Sequence, residues 1–145
     1  MDFSSIPSKR WVALAGLGAA TGLRSMTPPA ALALRKGALP NPAKFALIAA
    51  AIGELAGDKH PAVPSRTSPS GLAGRVLAGA GVGYVAGGAE AAIVCGIVAA
   101  AAGAGAAKLR GKLGELTGQP DAVIAVGEDW IAIALTAATV DVAID

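Results

Sequence analysis

Eight ionisable residues carry the chemistry open to this sequence: Arg24, Glu54, Asp58, Lys59, Arg66, Arg75, Glu128 and Asp129. They stand where apolar runs end, two of them beside helix-start signals. Arg24 precedes Ser25-Met26-Thr27-Pro28-Pro29, and Arg66 precedes Thr67-Ser68-Pro69. A small polar residue before proline caps a helix whose first positions need no donor. The remaining free N–H groups and the helix dipole attract negative charge. Arg24, with helix starts at Pro28 and Pro69, is therefore a candidate site for a small anion. Glu54 and Asp58 are four residues apart, on one helical face. With Glu128 they can take up a proton or cation, or pair with Arg24, Lys59, Arg66 and Arg75. The competing structural reading is that all these groups form ion pairs at a membrane boundary and hold broken helices together, because an isolated charge in hydrocarbon costs about 3 kcal/mol or more.

Other chemistries have too few residues. The carboxylate pairs Glu54/Asp58 and Glu128/Asp129 can do acid–base work, but no histidine lies in an apolar run and no nucleophile has a visible base. Ser25 beside Arg24 reads as part of a helix break, and no enzymatic activity is expected. The one cysteine, Cys95 in AAIVCGIVAAAAG, reads as a packing residue. The one histidine, His60, lies between Lys59 and Pro61 in an interfacial loop. One cysteine and one histidine supply neither a disulfide nor a usual zinc site, so no metal or cofactor is expected. The net charge of +2 is spread without interleaved aromatics, which argues against nucleic acid as a partner.

The elements that must position these residues are apolar. The 145 residues are 54% hydrophobic and 15% charged, with a mean hydropathy of +0.59, whereas soluble domains carry about a quarter charged residues. Apolar runs occupy residues 11–34, 45–57, 69–87, 91–107 and 122–144; the second is short and the others are near the length that crosses a bilayer. The sequence predicts one integral membrane domain over residues 1–145. Its fold class is all-α, a polytopic helix bundle of about five hydrophobic segments with a broken first helix and a proline-rich break before the third. Lys9-Arg10 followed by an apolar stretch has the layout of a secretory leader, but Arg24 and Pro28-Pro29 interrupt it and apolar character resumes. The stretch is read as a retained first span with Trp11 as an interfacial anchor.

Gly79, Gly83 and Gly87 recur every four residues and form a groove for close helix packing. A nucleotide loop is excluded here, since no strand precedes the glycines and no lysine follows. Gly87-Gly88-Ala89-Glu90 reads as a tight turn into the fourth segment, which ends in Lys108, Arg110 and Lys112. With five crossings, Lys9, Arg10, Lys59, Arg66, Lys108, Arg110 and Lys112 share one side against Arg35, Lys36 and Lys44. The positive-inside rule then puts the N-terminus in the cytoplasm and the C-terminus outside. A re-entrant pair of half-helices in place of the first span would nearly equalise the two sides. Two internal echoes, Arg24 to Pro28 with Arg66 to Pro69 and Ala51-Ile52-Gly53-Glu54 with Ala125-Val126-Gly127-Glu128, have the look of a transporter repeat; chance similarity is the rival reading.

Gly22-Leu23-Arg24 with Pro28, Gly53-Glu54 before Asp58-Lys59 and Pro61, and Gly127-Glu128-Asp129 before a terminal apolar run carry a resemblance. Over about residues 16–138 the chain resembles the domain of unknown function 4126 family, small multi-pass bacterial membrane proteins. Leu116-Thr117-Gly118-Gln119-Pro120 departs from that family's pattern, so no role is carried onto it. The resemblance implies a polytopic protein of the bacterial cytoplasmic membrane and no activity. The expected function is a small transporter or channel for an ion or small polar, possibly anionic, solute, working as a homo-oligomer in the lipid bilayer. The alternative is a non-catalytic membrane scaffold or accessory subunit that packs against another membrane protein.

Overall fold

In a computed structural model, which describes residues 8–37, 40–57 and 68–145, the chain forms five helices and, among those residues, no strand. They are α1 (Ser8–Leu23), α2 (Thr27–Lys36), α3 (Asn41–Gly57), α4 (Pro69–Thr117) and α5 (Asp121–Ile144). Two of them, α4 and α5, are long and apolar enough to cross a membrane. The path of α4 reverses at Gly88, whose φ of 82° and ψ of −162° are not helical. Only glycine adopts that backbone without strain. Residues 69–87 and 89–117 are thus two antiparallel arms, with the turn at the expected Gly87-Gly88-Ala89-Glu90.

Glycine lets the arms touch. A Cβ on Gly79 would lie 2.7 Å from the Cys95 carbonyl oxygen, and one on Gly83 would lie 2.6 Å from the Ala91 carbonyl carbon. The groove read from these glycines is filled from within the chain. Gly18 and Gly22 of α1 make similarly close approaches to residues 95–103 of the second arm. Helix α1 is the central element, packed on α4 and α5, with Leu14, Leu17, Ala20 and Thr21 fully buried. Leu32, Val82, Ala86, Ala91, Cys95 and Val140 close around it. Trp11 lies partly buried against this core.

The first segment breaks where the sequence predicts, between Leu23 and Thr27, but the second piece runs the other way. The Arg10 Nη2 donates to the Ala86 carbonyl at 2.8 Å and the Lys36 Nζ to the neighbouring Val85 carbonyl at 2.6 Å. A continuous helix would hold residues 10 and 36 about 39 Å apart. Therefore α1 and α2 form a hairpin, the re-entrant arrangement, and the single broken crossing over residues 11–34 is corrected. The physical reason lies at the turn: Pro28 and Pro29 cannot continue the α1 hydrogen-bond ladder, and α2 starts afresh.

The topology changes with it. Arg10 also donates to the Ala143 carbonyl at 3.0 Å, and Arg35 pairs with Asp141 at 3.1 Å. Residues 10, 35–36, 85–88 and 141–145 thus share one end of the bundle, so both described chain ends lie together. The expected grouping of Lys9 and Arg10 with Lys108, Arg110 and Lys112, opposite Arg35 and Lys36, does not hold. Arg10 and Lys36 complete the carbonyls that the first arm of α4 leaves unpaired before Gly88, which favours cations there.

The glycine faces predict opposite outcomes for two neighbours. Gly83→Leu drives a side chain into the Ala91 and Ala92 backbone and should cost about 3 kcal/mol or abolish folding. A Cβ on Gly81 meets nothing within 4 Å, so Gly81→Leu should leave the unfolding midpoint unchanged or raised, since leucine is the better helix former. Thermal unfolding of the two purified variants checks the contrast.

Candidate functional site

The site assembles at the α1–α2 turn. Arg24 ends α1 with its amide bonded to the Ala20 carbonyl at 2.8 Å, and its side chain is 0% exposed. There the guanidinium forms an ion pair with Asp129 of α5. Asp129 is itself buried, at 9% exposure. A buried guanidinium repays its desolvation only through such a partner with matching hydrogen bonds.

The start of α2 is held by Glu54 of α3. One carboxylate oxygen accepts from the Ser25 amide at 2.8 Å and the Ser25 hydroxyl at 2.6 Å; the other accepts from the Met26 amide at 2.8 Å. Pro28 and Pro29 contribute no donors, so this one carboxylate and two prolines meet much of the demand of the helix start. Thr27 was expected to cap α2. Instead Met26 is the N-cap and makes no side-chain bond, and the Thr27 Oγ1 is buried without a partner among the described residues. The second start follows expectation: the Ser68 Oγ accepts from the Gly71 amide at 3.1 Å.

Two further arginines frame the turn. Arg75, 6% exposed, donates from Nε to the Gly22 carbonyl at 2.9 Å and from Nη1 to the Gly71 carbonyl at 3.2 Å. It thus serves the closing carbonyls of α1, where the dipole favours a cation. Gly103 makes room for it: a Cβ there would lie 2.8 Å from the Arg75 Cδ. On the second arm of α4, Arg110 forms a two-pronged ion pair with Asp121 and reaches the Glu128 Oε2 at 3.4 Å. Two adjacent carboxylates on α5 therefore hold arginines from different elements.

Of the residues singled out from sequence, Arg24, Glu54, Arg75, Glu128 and Asp129 come together at one end of the bundle. Asp58, Lys59 and Arg66 lie outside the described residues. Sequence reasoning missed Arg110 and Asp121 as partners; the available signal was their position on either side of the Gly118-Gln119-Pro120 turn. In the first echo, Thr27 and Ser68 both stand at helix starts but only Ser68 caps. Beside the ion pairs lies an open cavity of about 650 Å³ between the second arm of α4 and α5, lined by Leu23, Ala102, Gly105, Arg110, Gly127 and Glu128 among others. No group of three or more His, Cys, Asp or Glu among the described residues is arranged to hold a metal ion.

The arrangement can attract an anion at two points, the Arg24 guanidinium and the α2 start, and each carries a carboxylate of the chain itself. No family model, curated protein or solved structure matches this chain.

Removing one member of the buried pair strands the other. Arg24→Ala and Asp129→Ala should each destabilise by about 3–5 kcal/mol, while the double variant Arg24→Met/Asp129→Leu should recover most of the loss. Unfolding midpoints of the three variants check this; a double variant less stable than both single variants would mean that the two side chains act independently. Glu54→Ala, which removes three hydrogen bonds, should cost roughly 1–3 kcal/mol. Glu54→Gln keeps an acceptor and should cost less.

Proposed function

We propose that this chain is a polytopic membrane domain, related to the family it resembles, that moves a small polar anion or ion pair across the bacterial cytoplasmic membrane as a homo-oligomer, and that it is not an enzyme. The observation that carries the reading is the ion pair of the fully buried Arg24 with the buried Asp129 at the turn of the α1–α2 hairpin. Ionisable residues within a membrane bundle mark ion and solute pathways more often than they mark structure. Breaks in helices at such depth are tolerated where they are buried in protein or face a cavity. In this reading Asp129 and Glu54 act as tethered anions. A solute entering the cavity beside Leu23, Arg110 and Glu128 competes with Asp129 for Arg24, and the pair opens only in exchange for another negative group.

The scaffold reading draws on a different observation. The same cavity has small residues on both walls, Ala102 and Gly105 facing Gly127, and a Cβ on Gly105 or Gly127 would meet nothing within 4 Å. Such a surface lets a foreign helix approach closely.

The test is solute-induced current and pH change in proteoliposomes across inorganic and organic anions and cations. Transport predicts flux with one solute class. It should be lost in Arg24→Ala, and altered in apparent affinity by tenfold or more in Asp129→Asn, which keeps the shape but frees the guanidinium of its competing charge. Thermal unfolding of each variant separates lost transport from lost folding. Silence across the panel, with wild-type protein folded and inserted, overturns transport and favours the scaffold.

A further inference from the structure

Along the outer side of α2 runs a second cavity, about 400 Å³, remote from the Arg24 pair for most of its length. Met26, Pro29, Ala33 and Lys36 form one stripe along α2, opposite Leu47 of α3 and Gly81 on the first arm of α4. The spacing of three and four residues keeps the stripe on one face for the full length of the helix, about 15 Å. Everything lining this groove is apolar except Lys36, at its end.

A second cation stands near the same end, outside the lining itself. Lys44 precedes Leu47 by one turn on α3, half-buried and on the same helical face. Lys36 spends one of its three N–H donors on the Val85 carbonyl at 2.6 Å; an ammonium keeps two more. Of the carboxylates at this end, Asp141 is engaged by Arg35, Asp145 lines a separate pocket with Lys9 and Arg10, and Glu90 stands beyond the Gly88 turn. An apolar trough with positive charge at one end complements a molecule with an apolar tail and a negative head. Lysines at a bilayer surface attract anionic headgroups by about 1 kcal/mol each.

We propose that this groove seats an acyl chain of an anionic phospholipid whose phosphate is held by Lys36 and Lys44. The lipid would fill the space between α3 and the rest of the bundle. The inference rests on the membrane embedding proposed above and not on transport.

The experiment measures the unfolding midpoint of the purified protein in non-ionic detergent with added phosphatidylglycerol, phosphatidylcholine or inorganic phosphate. Phosphatidylglycerol should raise Tm by roughly 3 °C or more over phosphatidylcholine. The gain should vanish in Lys36→Gln/Lys44→Gln and shrink in Lys44→Gln alone. It should vanish also in Gly81→Leu, whose side chain starts from open space on the wall of the trough. Equal stabilisation by phosphatidylcholine, the same gain from inorganic phosphate, or a gain that persists in these variants overturns the proposal. So does loss of a cross-linked dimer in Gly81→Leu, which would give the groove to a second copy. Failure of the wild-type protein to co-sediment with vesicles of either lipid would instead sink the membrane reading, a different result from indifference to headgroup charge.

Discussion

Glu54 at the start of α2 is the contact on which the rest of the arrangement depends. A chain that reverses direction inside an apolar bundle exposes backbone donors at the new helix start, and each left bare costs more than an ordinary hydrogen bond returns. Prolines remove some of that demand and the Glu54 carboxylate meets the amides of Ser25 and Met26. With the turn so satisfied, Arg24 can lie fully buried at its apex, because Asp129 meets it from α5. The reversal, the buried cation and the acidic pair on α5 are consequences of one another. Removing any of them leaves a polar group facing hydrocarbon-like surroundings.

The same logic explains why the cations divide as they do. Arg75 attends the last carbonyls of α1, while Arg10 and Lys36 attend those of the first arm of α4. Arg110 ties the start of α5 to the end of α4 through Asp121. Charges that look like a scattered interfacial set in the sequence are largely helix-end chemistry. Arg24 with Asp129 is not of this kind: it is an ion pair between side chains, with the guanidinium fully buried.

Much of this was legible in the residues. Periodic glycines and the Gly87-Gly88 step gave the α4 hairpin, since close backbone approach and a positive φ both require glycine. Arg24-Ser25-Met26-Thr27-Pro28 marked the break. Its direction was not legible, because a proline-initiated helix can continue past a kink or fold back, and the choice falls to distant groups: Glu54 from α3 and the carbonyls of Val85 and Ala86. The topology argument failed for that reason, having counted one crossing where the chain makes a return. Partner choice was hidden in the same way. Nothing local tells that Arg24 selects Asp129 over Glu54, or that Arg110 belongs to Asp121; both depend on how α5 registers against α1 and α4.

Helix α3 has a consequence of its own. It packs chiefly on α2, no residue of it is fully enclosed, and Phe45 and Ile52 stay open on its surface. It is the part of the fold whose departure disturbs the fewest apolar contacts, and local opening begins at such parts. Yet it carries the carboxylate that holds the α2 start. A loosely seated outer helix therefore works as a latch on the α1–α2 turn: when it lifts, the amides of Ser25 and Met26 lose their acceptor together.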